Sequence, residues 1–164
     1  SNLAGGLMIL VFHPFRVGDV IDTELKMGVV MEINIFYTIL KTFDNRHITL
    51  PNGQLTNAAI VNYSNEEQRR VDMTFTTGYG ADITQVKQIL LDIATTHELT
   101  LSEPEPFCRL QKHGDSSLEF VLRIWCMAPD YWTIHFDLME KVKETFDAQG
   151  IEIPYPQLDV HLDK

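Results

Sequence analysis

The chain has 164 residues, is 45% hydrophobic and carries a formal net charge of −10. That length gives one large domain or two small ones, and the acidic excess, nearly all of it past residue 65, argues against nucleic acid as the main partner of the second half, since phosphate recognition needs a basic surface. Cys108 and Cys126 form no CxxC and join no Cys/His cluster of zinc spacing, so they read as free thiols in a reducing compartment.

The chain opens on "SNLAGGLMILVF", whose apolar run from Leu3 to Phe12 stops at His13-Pro14. A bilayer span takes about 20 apolar residues, so this run is too short for one. It has neither the basic flank nor the cleavage site of a secretory signal. It reads as the cut end of a longer apolar helix, ended by Pro14, which lacks a donor and disfavours helix in the residue before it.

From Val17 to Ser64 the segments "DVIDTE", "MGVVMEINI", "FYTILKTFD", "RHITLPNG" and "AIVNYS" are rich in β-branched and aromatic residues and separated by turn residues. Asp44-Asn45 suits a tight turn, because both tolerate left-handed backbone. In "LPNGQLTN", Pro51 ends a strand and Asn52-Gly53 predicts a turn with positive φ. Five strands this short are too few for a sandwich, and a small barrel hides their edges best.

Past "SNEEQRR" the period changes and the acidic excess concentrates. "VDMTFTT" is a strand. "DITQVKQILLDIATTHEL" is a helix with Ile83, Val86, Leu90, Ile93, Ala94 and His97 on one stripe, capped by Asp82. "FCRLQKHG" and "SLEFVLRIWCMA" are two strands joined at Gly114-Asp115, the second alternating with period two. "PDYWTIHFDLMEKVKETFDAQG" is a second helix, from Asp130 as N-cap to Gly150. "IEIPYPQLDVHLDK" closes the chain in extended form, since Pro154 and Pro156 forbid a helix. The order β-α-β-β-α-β predicts a four-stranded antiparallel sheet with two helices on one face, the ferredoxin-like split motif. The fold class is therefore α+β: a helical start over 1–13, a small five-stranded Sm-like or SH3-like β-barrel over 14–65, a ferredoxin-like domain over 66–155, and a last strand over 156–164.

Chemistry-bearing patterns are sparse. "TGYGAD" lacks the third glycine and the Lys-Ser/Thr pair of a phosphate loop and reads as a plain turn. Asp159, His161 and Asp163 share one face of the last strand, in the pattern of a solvated polar face. No nucleophile elbow surrounds Ser116-Ser117, and Asp137 and Glu140 lie among Lys141, Lys143 and Glu144 as on an exposed helix. With no catalytic constellation, the chain reads as a non-enzyme. Two binding classes remain as alternatives: an Sm-type RNA module, poorly served by Lys26, Lys41 and Arg46 alone, and a metal or small-ligand sensor built on Asp159, His161 and Asp163.

Taken in order, "SNLAGGLMILVFHPFRVGD", "FDNRHITLPNGQLTNAAIVNYS", Arg69-Arg70, "DITQVKQIL" and "FDAQGIEIPYPQLDV" resemble the small-conductance mechanosensitive channels (MscS-like) along essentially the whole chain. Where that family has a glycine-rich turn, this chain reads "TELKMG" and keeps only Gly28. The resemblance implies a homoheptameric channel in the cell (inner) membrane, opened by bilayer tension on osmotic downshock. This portion would hang below the membrane as a cytoplasmic vestibule through which ions pass, with no nucleotide, metal or other cofactor and no nucleic-acid partner.

It also implies roles. Asn2, Gly5, Gly6, Leu7, Val11 and Phe12 would belong to the end of the pore-lining helix, reaching the membrane with helices upstream. Gly5 and Gly6 cost such a helix about 1 kcal/mol each and are tolerated where membrane helices pack closely. His13, Pro14, Phe15, Arg16, Gly18 and Asp19 would couple helix to barrel. Pro51, Asn52 and Gly53 would shape a barrel turn near a neighbouring subunit. Pro156, Leu158, Val160 and Leu162 would pair with copies of themselves as a parallel barrel, the apolar row facing one way and Asp159, His161 and Asp163 the other. The acidic lower part would enrich cations by its potential.

Overall fold

A computed structural model describes residues 1–164, which divide into two compact units, Ser1–Glu67 and Gln68–Lys164. No helix is long and apolar enough to cross a membrane.

The first unit begins with α1 (Asn2–Phe12). The Ser1 hydroxyl caps it by accepting from the Ala4 N–H at 3.2 Å. It ends at His13, which takes a left-handed conformation (φ 48°) while its N–H donates to the Ile9 carbonyl. Then come β1 (Val20–Thr23), β2 (Met27–Ile33), β3 (Tyr37–Lys41), β4 (His47–Pro51), the single-turn helix α2 (Asn52–Leu55) and β5 (Ile60–Asn62). All pairings are antiparallel, in the order β4-β3-β2-β1-β5.

Local chemistry accounts for each turn. Between β1 and β2, the Thr23 hydroxyl accepts from the N–H groups of Leu25 and Lys26, so a threonine closes "TELKMG" without a glycine at the bend. Between β3 and β4, Asn45 sits at φ 67°, the left-handed conformation its side chain tolerates. The apolar residues of alternate strand positions, Ile21, Val30, Leu40 and Leu50, bury with Ile9, Phe15 and Leu55.

Two expectations need correction here. The strands form a sheet whose edges β4 and β5 do not pair, so no hydrogen-bonded barrel closes. One edge strand is three residues long, and the other ends at Pro51, which has no N–H to offer a ladder. Asn52-Gly53 is not a positive-φ turn either: it opens α2, and positive-φ glycines occur only at 18 and 150.

The second unit runs β6 (Gln68–Thr77), α3 (Ile83–Thr96), β7 (Phe107–His113), β8 (Leu118–Met127), a 3₁₀ turn (Ala128–Asp130) and α4 (Tyr131–Gln149). The sheet is antiparallel with order β6-β8-β7. The Asp82 carboxylate accepts from the Gln85 N–H at 2.8 Å, capping α3. That helix stops at Thr96, one residue short of the predicted stripe, and His97 turns aside to meet Asp137 on α4 at 2.8 Å. Asp130 precedes α4 without making a side-chain cap bond. The core joins Val71, Met73, Phe120, Leu122 and Ile124 of the sheet to Val86, Leu90 and Ala94 of α3 and Ile134, Leu138, Val142 and Phe146 of α4.

The sheet has three strands, not four. Residues 151–164 carry no regular secondary structure. They are tied back by the Gly78 N–H donating to the Glu152 carbonyl and by the Gln157 N–H donating to the Ser116 hydroxyl. Pro154 and Pro156 remove two of the donors that a ladder along β6 would use.

Cys108 and Cys126 are free and buried, on β7 and β8. Burial pushes the Cys108 thiol up to about 11, with Lys87 pulling weakly the other way, and raises Cys126 too. At pH 8 about one Cys108 in a thousand is the reactive thiolate. Iodoacetamide at pH 8 should therefore leave both cysteines unmodified in the folded chain and label both in denaturant. Rapid labelling of the native protein, read by intact mass, would contradict this packing.

Candidate functional site

The feature that joins the residues of separate motifs is the seat of α1 on its own β unit. α1 is apolar on every side, yet only Gly5, Gly6 and Ile9 are buried. A Cβ at Gly5 would stand 2.5 Å from the Asn52 carbonyl oxygen, and one at Gly6 would stand 2.1 Å from the Ile35 carbonyl oxygen. Both distances are shorter than any carbon–oxygen contact, so the helix backbone lies directly on the backbone of 35 and 52.

What it lies on is a buried polar hub. Asn52 and Thr38 are both fully buried. The Thr38 hydroxyl donates to Asn52 Oδ1 at 2.8 Å, and Asn52 Nδ2 donates to the Asn34 carbonyl at 2.8 Å. The Asn52 N–H donates to the Phe36 carbonyl, and its own carbonyl accepts from the N–H and hydroxyl of Thr56. A buried amide this well satisfied fixes the geometry around it, because each lost partner leaves a desolvated polar group. At the next residue, the Gly53 N–H donates to Asn2 Oδ1 at 2.9 Å, tying the start of α1 to the start of α2.

The other end of α1 is held through Asp19. Its carboxylate accepts from the Arg16 N–H and from Asn62 Nδ2, each at 2.9 Å, and Asn62 Nδ2 also reaches the Pro14 carbonyl. Phe15 is buried in the core of the unit. Gly18, at φ 97°, lets its N–H reach the Val30 carbonyl, in a conformation that favours glycine.

So Asn2, Gly5, Gly6, Pro14, Phe15, Arg16, Gly18, Asp19, Asn52 and Gly53 belong to one connected arrangement. His13 contributes its helix-ending conformation, and Pro51 leads β4 into α2. Leu7, Val11 and Phe12 do not join: they point outward, with Phe12 73% exposed. Pro156, Leu158, Val160 and Leu162 lie in the other unit and are exposed. The close contacts of Gly5 and Gly6 are with Asn52 and Ile35 of the same chain, backbone on backbone. The 51–53 segment touches the chain's own α1 through the Gly53 N–H on Asn2 Oδ1. Sequence reasoning missed Asn34, Thr38, Asn62 and Ser64; "Asn-x-Ser" at 62–64 was the available signal, with the Ser64 hydroxyl accepting from the Val20 N–H.

Two family models match along the chain: the mechanosensitive ion channel beta-domain over residues 1–65, and the mechanosensitive ion channel MscS C-terminal domain over residues 71–153. The chain belongs to the MscS family of mechanosensitive channels. It is 44% identical over 162 residues to the small-conductance mechanosensitive channel of Edwardsiella ictaluri, a match covering 99% of this chain and 57% of that protein. The closed-state crystal structure of Helicobacter pylori MscS superposes with a TM-score of 0.92 at 34% identity, over 99% of this chain and 65% of that one. Arabidopsis thaliana MSL1 shares the fold, with a TM-score of 0.78 at 18% identity over 94% of this chain and 56% of its own. The chain thus spans less than two thirds of these relatives.

Because the Gly6 contact is backbone against backbone, no rotamer change relieves it. Gly6→Ala should destabilise the first unit by about 1–3 kcal/mol, the usual range for overpacking. Asn52→Ala should cost a similar amount, about 1–3 kcal/mol, by orphaning Thr38 and the Asn34 carbonyl. Leu7→Ala, at an exposed position, should change little. Urea unfolding of the three variants checks this ordering, and a Gly6→Ala chain as stable as wild type would overturn the seat.

Proposed function

We propose that the chain is the vestibule portion of a tension-gated ion channel that releases ions and small solutes on hypo-osmotic shock. The observation that carries this is an apolar helix, exposed along Leu3, Leu7, Met8, Leu10, Val11 and Phe12, seated rigidly by its glycines on a folded β unit. An apolar rod without a covering surface belongs against lipid or against copies of itself. Rigid attachment at two points, Asn2–Gly53 and Asp19–Asn62, makes the rod move with its platform. In this reading α1 is the inner end of a pore-lining helix, residues 13–19 couple it to the β unit, and the 51–53 segment holds its seat. Tension biases the channel because the open state occupies more membrane area.

The finer architecture belongs to the same reading. The β unit, an Sm-like arrangement in strand order, would complete its ring by pairing edges between subunits, since β4 and β5 are left open in one chain. The second unit, with its β-α-β-β-α order, would form the lower wall in the manner of a ferredoxin-like domain. Residues 156–164 would supply one strand each to a parallel barrel on the symmetry axis. In support, Leu158, Val160 and Leu162 are 86%, 68% and 86% exposed, an apolar row with nothing over it. The assembly is a homoheptamer in the inner membrane with this portion in the cytoplasm. It needs no cofactor and binds no nucleic acid, and its acidic surface enriches cations near the pore.

The mass of the chain in mild detergent tests the assembly. Seven copies of an 18.8 kDa chain weigh about 132 kDa, the expected particle. Val160→Asp should shift it to smaller species, and an unchanged mass would remove the tail barrel from the reading. For gating, Asn52→Ala in the full-length protein, reconstituted in liposomes, should alter the tension for opening. An unaltered threshold would detach the helix seat from gating.

A further inference from the structure

Two loops that read as plain turns in the sequence share one task in the fold. The β6–α3 loop carries Gly78 and Tyr79, and the β7–β8 turn carries Gly114 and Ser116. The Tyr79 hydroxyl donates to the Gly114 carbonyl and joins the two loops, while the Gly114 N–H donates to the Ser117 carbonyl at 2.7 Å and closes the turn. Each loop then holds the last segment of the chain at one point. The Gly78 N–H donates to the Glu152 carbonyl at 3.0 Å, and the Ser116 hydroxyl accepts from the Gln157 N–H at 3.0 Å. The root of that segment is fixed as well, because Ile151 is buried and its N–H donates to the Phe146 carbonyl near the end of α4.

Between the two holding points the chain has little freedom. Residues 153–156 read Ile-Pro-Tyr-Pro, and each proline fixes its own φ near about −65° and keeps the residue before it extended. The Gln157 side chain adds a bond of its own, with Nε2 donating to the Tyr155 carbonyl at 2.8 Å. From Gln157 to Lys164 every residue is exposed. The held stretch therefore ends just before Leu158, where the apolar alternation Leu158-Val160-Leu162 begins. Neither Tyr79 nor Ser116 belongs to the core of the second unit, so their bonds hold the tail and not the packing beneath it.

We infer that Ser116, braced by Tyr79 through Gly114, is a positioning residue that sets the direction in which residues 158–164 leave the second unit. Parallel strands pair side by side only when each leaves its subunit in the same direction and register. A free tail loses conformational entropy at the moment of pairing, whereas a tail already held at Glu152 and Gln157 has less to lose. The bracket thus prepares the tail for pairing before any other copy arrives. This inference rests on the tail barrel proposed above and adds which groups of the same chain aim it. It also gives a purpose to "TGYGAD" and to the serine of the β7–β8 turn.

Cross-linking at the tail tests it. In parallel strands about 4.8 Å apart, residues at 160 of neighbouring copies lie side by side, as do those at 162. Cys108 and Cys126 are buried and stay out of the reaction. The Val160→Cys chain in mild detergent, treated with a short bifunctional maleimide, should give a ladder of linked species on a denaturing gel. Ser116→Ala in that background should slow linking by about twofold to tenfold, the factor one hydrogen bond contributes. Ser116→Thr, which keeps the hydroxyl, should restore it, and Tyr79→Phe, which removes only a hydroxyl, should slow it in the same way. Thermal unfolding of the second unit should stay as in the parent; slower linking that tracks a lower midpoint would overturn positioning in favour of packing. Linking unchanged by Ser116→Ala overturns the bracket and leaves the tail barrel standing. If neither Val160→Cys nor Leu162→Cys gives a ladder, the tail barrel fails and the inference with it.

Discussion

The first unit depends on one steric constraint: two consecutive residues of α1 must have no side chain. Backbone carbonyls at 35 and 52 occupy the space where Cβ atoms at Gly6 and Gly5 would be. From that constraint the rest of the seat follows. Carbonyls brought this close to a helix must be oriented, and Asn52 orients them by spending both its amide groups inside the unit, on Thr38 and Asn34. A threonine in the middle of β3 is then explained by the amide it serves and not by strand propensity. The single turn of α2 exists to hold Asn52 inward, with Thr56 closing it from below.

Such a seat is stiff for a physical reason. Side-chain packing yields by rotamer changes, whereas backbone packed on backbone yields only when a whole element moves. A buried polar hub bonded through both its amide oxygen and its amide nitrogen adds to this, since partial opening leaves desolvated groups. In the proposed channel, force applied along α1 would therefore reach the β unit with little give at the joint. The glycines are commonly expected to soften a helix, but in this setting they bring it close enough to be held.

What could be read from the sequence was what local chemistry decides. The strands of 20–62 announce themselves by alternation and β-branching, Asp82 by its position before an apolar stripe, and Gly150 by ending one. What could not be read depended on partners far along the chain. Gly5-Gly6 is recognisable as a close-contact signal, but its partners lie far along the chain, at Asn52 for Gly5 and Ile35 for Gly6, and membrane-helix packing accounts for the same residues equally well. "PNG" has the composition of a positive-φ turn. It forms a helix because the asparagine side chain finds better acceptors and donors in the core than its own backbone offers. The tail reads as a strand by alternation, yet a strand needs a ladder, and nothing in the chain supplies one beside residues 156–164.

The unpartnered features form a pattern when considered together. The apolar sides of α1, the open edges β4 and β5 and the Leu158-Val160-Leu162 row lie on three different parts of the chain. A single protomer exposing all of them would be prone to indiscriminate association. The ring proposed above would remove the difficulty, because one symmetry operation would supply a partner to every such surface at once, and each contact would reduce the entropic cost of forming the others. That argument also explains why the exposed surfaces differ in kind. Apolar and hydrogen-bonding surfaces cannot substitute for one another, so each discriminates against the wrong docking of the other.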